Sequence, residues 1–154
     1  RSLVDREAEY ESVLVAMEPG RFSPGALATA VKMAAPRRRG IHVVVPITVP
    51  ASSPLDGQMP EQEAAAMKVI SLAKLQGGRR VSGHWEKVRM GQEGHLIVEE
   101  ARELKARAIV VPLPPRTAGS VFGKTLETVL AERPCRVIIQ TDPQVTRPRA
   151  AAKA

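Results

Sequence analysis

Short apolar runs alternate along the chain with segments of helical period. Four runs, at residues 12–17, 41–47, 108–111 and 137–139, are rich in β-branched residues, which is typical of strands that are covered on both faces. A fifth segment, residues 81–90, alternates apolar and polar positions and predicts a half-exposed edge strand. We therefore expect five strands.

Between the strands, apolar residues recur every three or four positions, as on the buried stripe of a helix that packs on a sheet. The four stripes are Leu27, Ala30, Val31 and Ala34; Ala66, Met67, Ile70 and Ala73; Ile97, Ala101 and Leu104; and Phe122, Leu126, Val129 and Leu130. Gly40, the pair Gly77 and Gly78, and Pro134 stand just past the predicted helix ends, where a cap or a stop is expected.

This alternation predicts an α/β fold with a parallel sheet, right-handed crossovers and helices on both faces. Ligands of such sheets bind beyond the carboxyl ends of the strands, where the strand order reverses. The candidate binding loops are residues 18–23, 46–60 and 112–124. In the first of them, Ser23 is predicted to cap the following helix, with Pro24 at the first helical position.

The length of 154 residues fits one domain, since domains of this size are common. We assign residues 11–141 to that domain, residues 1–10 to an N-terminal linker and residues 142–154 to a disordered basic tail. No apolar run is long enough to span a bilayer or resembles a signal peptide. Cys135, which lies beside an apolar run, is predicted to be a buried, inert thiol. A cytoplasmic domain is expected.

The net charge of +7 comes mainly from two short segments. Arg37, Arg38 and Arg39, together with three basic residues of the tail, supply six of the seven charges. Aromatic residues are only 3% of the chain and lie far apart, whereas a nucleic-acid binder combines a basic face with stacking residues. We therefore predict no nucleic-acid partner and interpret the arginine run as a solvated surface, with an acidic membrane or partner contact as the alternative.

Catalytic and metal-binding patterns are absent from the sequence. No Ser-His-Asp order, acid–base carboxylate pair or Cys-His arrangement is present, so no catalytic residue is predicted. His42, His84 and His95 lie on different elements without the spacing of metal ligands, and no metal site is predicted.

Three segments carry a resemblance to a known family. Residues 13–27 contain an apolar strand, the acidic Glu18, a small-residue turn and Ala-Leu in a first helix. Residues 88–111 contain a strand that ends at Gly91, then a helix and a strand, and residues 122–139 contain a helix and strand with the pair Pro134 and Cys135. In this order they resemble the universal stress protein family over residues 11–141, with Glu18 where that family usually has Asp.

The resemblance implies a flavodoxin-like three-layer α/β/α sandwich with five parallel strands in the order 3-2-1-4-5. It also implies a nucleotide site for ATP, AMP or a cyclic nucleotide. The candidate ligand-binding residues are Glu18, Pro19, Gly20, Val45, Gly91, Pro112, Gly123, Lys124 and Thr125. Residues 135–141 form an unprotected sheet edge, which favours a homodimer through the last strand.

The expected phosphate-binding glycines are replaced. Where ATP-binding members of the family carry Gly-x-x-Gly, this chain reads Pro112, Leu113, Pro114 and Pro115. Proline has no N–H to offer a phosphate, so weak or absent nucleotide binding is expected. Residues 118–125 fit a relaxed P-loop pattern, and the amides of Gly123, Lys124 and Thr125 at a helix N-terminus form a candidate anion site.

Three functional hypotheses remain open at this point. The first is a stress-response regulatory domain that is not an enzyme. The second is the cytoplasmic regulatory domain of a membrane amino-acid or cation transporter, because domains of this family occur appended to permeases and the chain begins at Arg1 with a charged segment. The third is a weak ATP-hydrolysing switch that uses Gly123, Lys124 and Thr125.

Overall fold

The computed structural model describes residues 11–35, 40–113 and 123–141. Five strands and four α-helices alternate within them. They are β1 Val13–Ala16, α1 Pro24–Met33, β2 Ile41–Val49, α2 Pro60–Gly77, β3 Val81–Arg89, α3 Glu93–Glu103, β4 Ala108–Pro112, α4 Gly123–Glu132 and β5 Arg136–Gln140, with a 3-10 turn, Gly78–Arg80, between α2 and β3. The predicted linker, arginine run and tail lie outside the described residues.

The strands form one parallel sheet in the order β3-β2-β1-β4-β5. Val13 of β1 pairs with Ile41 on one side and with Ala108 on the other, so the sheet grows outward from β1 in both directions. This confirms the predicted flavodoxin-like topology and places the reversal of strand order between β1 and β4. β3 lies at one edge and is half-buried along most of its length, as its alternating pattern predicts.

Two apolar layers sandwich the sheet because successive strand residues point to opposite faces. Val13 and Val43 pack under α1 and α2, whereas Leu14, Val44 and Ile109 pack under α3 and α4. Every residue of β1 is buried. A central strand with both faces covered requires a continuous apolar run, and this is the run that the sequence shows.

Three details of the sequence prediction are wrong. β2 pairs with β3 as far as Val49, so the loop after β2 begins beyond Pro46. Met67 is 48% exposed and Val69 is buried in its place, because the buried stripe of α2 runs through Ala66, Val69, Ile70 and Ala73. Leu104 is 38% exposed, since α3 ends just before it. Phe122 lies outside the described residues.

Gly78 ends α2 with φ +73°, a left-handed conformation that favours glycine. The predicted cap is therefore confirmed at Gly78, whereas Gly77 is still helical. Among the helices described by the structure, none has the length and apolar character needed to cross a membrane.

Candidate functional site

A cavity of about 400 Å³ opens at the carboxyl ends of β1 and β4. Its floor is formed by Ala16, Met17 and Val111 at the strand ends, and its walls are formed by the β1–α1 turn, the end of β2, and the first turns of α3 and α4. This position is where the strand order reverses, and ligands of open α/β sheets bind at such a point. The volume lies within the usual range of small-molecule sites.

The turn after β1 places two opposite charges at the mouth of the cavity. Gly20 has φ +76°, which lets the chain fold back so that the Arg21 N–H donates to the Glu18 carbonyl at 3.1 Å. The Arg21 guanidinium lies 3.4 Å from Glu18 Oε2 and donates to the Leu113 carbonyl at 3.4 Å. Both side chains are substantially exposed, so their ion pair is weak. Each remains available to a ligand.

The first helix begins at the same turn. Ser23 is 3% exposed, and its Oγ accepts a hydrogen bond from the Ala26 N–H at 3.2 Å. Pro24 occupies the first helical position. The predicted cap is therefore confirmed, and it fixes the direction in which the chain leaves the cavity floor.

The N-terminus of α4 supplies the positive end of the cavity. Gly123, Lys124 and Thr125 line the cavity wall, and the first amides of a helix attract anions. A Cβ added to Gly91, which has φ +91°, would lie 3.3 Å from Lys124 Nζ, so the lysine lies against the turn after β3. Within the described ranges, no carboxylate forms an ion pair with Lys124.

Glu93 holds the opposite wall together. Thr48 Oγ1 donates to Glu93 Oε2 at 2.5 Å, and the Gly91 N–H donates to Glu93 Oε1 at 2.9 Å. These bonds tie the end of β2 and the β3–α3 turn to the start of α3. Both oxygens of Glu93 are thus already hydrogen-bonded to the protein. The carboxylate therefore has a positioning role in the cavity wall.

The structure brings most of the predicted site residues together. Glu18, Pro19, Pro112, Gly123, Lys124 and Thr125 line the cavity. Gly20 shapes the turn and Gly91 lies behind Lys124, but neither lines the cavity. Val45 is fully buried in the core under α1 and α2 and does not line the cavity.

Arg21, Thr48 and Glu93 line the cavity but are not among the individual ligand-binding residues predicted from the sequence, although Arg21 and Thr48 lie within the candidate binding loops. Arg21 lies within the predicted turn, and its positive charge so close to Glu18 could have identified it as a binding residue. Thr48 lies at the end of β2, two residues after Pro46. Glu93 is the first residue of α3, two residues after Gly91. An acidic residue in the first turn of a helix beside a predicted site residue could have identified it. Of the three prolines that replace the phosphate-binding glycines, Pro114 and Pro115 lie outside the described residues.

The histidines are arranged differently from what their spacing indicated. β2 and β3 pair in parallel with Val44 opposite His84, which brings the rings of His42 and His84 to a centroid separation of 4.9 Å. His95 lies apart on α3, with its Nδ1 2.9 Å from Glu132 Oε2. Their spacing in the sequence therefore did not exclude that His42 and His84 meet in the fold.

Cys135 precedes β5 and is half-buried rather than fully buried. Burial raises the pKa of the Cys135 thiol above its ordinary value, so the thiolate is disfavoured at neutral pH. The prediction of an unreactive thiol agrees with this environment.

Comparisons with known proteins agree with this fold. The family model described as "Universal stress protein family" matches residues 9–140. A universal stress protein from Archaeoglobus fulgidus is 24% identical, with 85% of this chain and 98% of that chain covered and a TM-score of 0.60. A structure of the Archaeoglobus fulgidus protein in complex with dAMP is 23% identical, with 85% and 98% covered and a TM-score of 0.57. A universal stress protein in complex with cAMP is 19% identical, with 85% and 96% covered and a TM-score of 0.56. No match was found among curated protein sequences.

Proposed function

Because this chain belongs to the universal stress protein family, we propose that it is a regulatory module that binds a nucleoside monophosphate weakly in the cavity between β1 and β4. The supporting observation is that Lys124, the N-terminus of α4 and the turn that contains Glu18 and Arg21 all line this cavity. The relatives solved with dAMP and cAMP bind ligands of the same chemical class.

The cations favour a phosphate at one end of the cavity. Lys124 offers three N–H donors, and the first residues of α4, whose amides begin a helix, line the same cavity. Arg21 also lines the cavity, and among the described residues its side chain makes an exposed ion pair with Glu18 and a hydrogen bond to the Leu113 carbonyl. A phosphate between them would replace weak contacts with charge-assisted hydrogen bonds.

A monophosphate fits these groups better than a magnesium triphosphate. Pro112 has no N–H to offer, where a glycine-rich turn would present backbone amides. Of the two carboxylates that line the cavity, Glu93 has both oxygens hydrogen-bonded to the protein, which leaves Glu18, weakly paired with Arg21, as a single carboxylate for magnesium. For the same reason, we propose binding without hydrolysis.

Calorimetric titration tests this proposal. AMP and cAMP are each titrated into the wild type, Lys124→Ala and Lys74→Ala, and ATP is titrated with and without magnesium. We expect AMP to bind at least as tightly as magnesium-ATP, and Lys124→Ala to weaken AMP binding by roughly tenfold or more, since a charged hydrogen bond contributes about 1.5–3 kcal/mol.

Lys74 lies in the last turn of α2 and does not line the cavity, so Lys74→Ala is expected to bind AMP like the wild type. Equal loss of binding in both lysine variants would count against a specific phosphate site. Magnesium-dependent ATP turnover that disappears in Lys124→Ala would replace the regulatory proposal with the enzymatic one.

A further inference from the structure

Three side chains with metal-ligating atoms meet at one edge of the sheet. His42 lies on β2, His84 on β3 and Glu100 on α3, and one ligand atom of each lies within 4.8 Å of the others. Nε2 of His42 is 2.7 Å from Nδ1 of His84, and Nε2 of His84 is 3.5 Å from Oε1 of Glu100. None of the three lines the nucleotide cavity.

We propose that His42, His84 and Glu100 bind a zinc ion. Two imidazole nitrogens and one carboxylate oxygen form a donor set that zinc uses in proteins, with a fourth position left for water. Three elements supply the ligands, so the ion would join the edge strand β3 to β2 and to α3. This site is separate from the proposed nucleotide function.

Binding one ion requires the His84 ring to turn. Zinc bonds of about 2.0–2.2 Å in a tetrahedral site place neighbouring ligand atoms about 3.3–3.6 Å apart. The 3.5 Å from His84 Nε2 to Glu100 Oε1 fits this range, but the 2.7 Å contact of His42 Nε2 is with the other ring nitrogen of His84, Nδ1. A single nitrogen of His84 must therefore face both His42 and Glu100, and one ligand atom of each residue already lies within 4.8 Å of the others. The His84 side chain is 35% exposed on an edge strand, and it therefore has room to move.

The surroundings favour a cation. The carboxylates of Glu86 and Glu103 lie close enough to Glu100 to interact with it electrostatically. Glu86 Oε1 also lies 3.6 Å from His84 Nε2. A bound cation would offset this excess of negative charge.

A second group holds the His42 ring in place. Ser82 Oγ lies 2.8 Å from His42 Nδ1 and 3.5 Å from the Ile41 carbonyl. Metal-bound histidines commonly donate their other N–H to an oxygen, and here that oxygen is the serine hydroxyl. The contact leaves His42 Nε2 facing His84 and Glu100.

The same side chains can also form hydrogen bonds with one another without a metal ion. Ser82 can donate to His42 Nδ1, His42 Nε2–H to His84 Nδ1, and His84 Nε2–H to the Glu100 carboxylate, which gives a hydrogen-bond chain that needs no metal. A measurement must therefore distinguish a zinc site from a structural hydrogen-bond chain.

Calorimetry with zinc chloride makes that distinction. The protein is prepared without a polyhistidine tag, stripped with a chelator and titrated in a buffer that does not bind zinc. We expect one zinc per chain, and we expect His84→Gln and Glu100→Gln each to weaken binding by roughly tenfold or more. Zinc should also raise the melting temperature of the wild type more than that of either variant, while circular dichroism shows that both variants are folded.

His95→Gln provides the matched control, because His95 also contacts a glutamate but lies on the surface of α3. We expect His95→Gln to bind zinc like the wild type. The proposal would be overturned by the absence of saturable binding, by unchanged affinity in His84→Gln and Glu100→Gln, or by an equal loss of affinity in His95→Gln.

Discussion

Gly94→Ala tests how closely α3 and α4 must approach to build the cavity. Gly94 is the second residue of α3 and is buried. A Cβ at this position would lie 2.6 Å from Thr128 Cβ and 2.9 Å from the Thr125 carbonyl oxygen. Both partners belong to α4, and both distances are shorter than van der Waals contact. The added methyl group must therefore move α4 away from α3.

Two opposing effects decide the sign of the change in stability. Alanine is better than glycine inside a helix by roughly 1 kcal/mol. Overpacking a tight contact costs about 1–3 kcal/mol, and here the contacted atoms include backbone that cannot rotate away. We expect the contact to prevail, with a net loss of about 1 kcal/mol in the free energy of unfolding, or about 2–4 °C in melting temperature.

The same displacement should weaken nucleotide binding, because α4 carries Lys124 and Thr125 while α3 carries Glu93. Urea unfolding measures the loss of stability, and AMP titration measures the loss of affinity. Thr128→Ala combined with Gly94→Ala removes one of the crowding atoms, Thr128 Cγ2, and should restore part of both losses. A Gly94→Ala variant that is more stable than the wild type would refute the reasoning, since helix propensity would then have prevailed.

Three further predictions concern other parts of the fold. Ser23→Ala removes the cap of α1 and should lower the free energy of unfolding by about 1 kcal/mol in urea titrations; an unchanged midpoint would contradict the role of the cap. A hydrogen bond from the Met59 N–H and the contact with Lys87 lower the pKa of Glu63 below its ordinary value of 4.5. The folded state therefore binds a proton at Glu63 less readily than the unfolded state does. The stability due to this carboxylate is lost as the pH falls below about 4.5. Glu63→Gln should flatten that part of the stability profile, whereas Glu61→Gln in the same helical turn should not; equal profiles for all three proteins would contradict the assignment. Ile139 is 38% exposed on the edge strand β5, and Ile139→Lys should convert the expected homodimer to a monomer in light-scattering chromatography. Leu75→Lys, at an exposed position on α2, should leave the dimer intact. A wild-type protein that is already monomeric would contradict this prediction.

The order of elements was predictable because buried parallel strands and amphipathic helices leave different periods in the sequence. Val13–Ala16 is apolar throughout, and only a central strand with both faces covered requires this. The edge strand β3 was also predictable, since its alternating apolar and polar residues are typical of a strand with one face only partly covered.

Which way a central strand presents its side chains was not predictable. The run from Ile41 to Val45 is apolar on both faces except at His42, so its pattern does not say that Val45 points away from the cavity. The convergence of His42 and His84 depends on the register between β2 and β3, which the sequence of either strand alone does not specify. Thr48 belongs to the cavity because β3 extends the pairing of β2 beyond Pro46.

The proposed site holds a nucleoside monophosphate in the cavity between β1 and β4, with its phosphate at the α4 N-terminus. Titration of ¹⁵N-labelled protein with AMP, followed by amide chemical shifts, tests this claim residue by residue. We expect saturable shifts at Arg21, Gly123, Lys124 and Thr125, and we expect their loss in Lys124→Ala. Shifts confined to residues outside the cavity, or the same shifts in Lys124→Ala, would contradict the account.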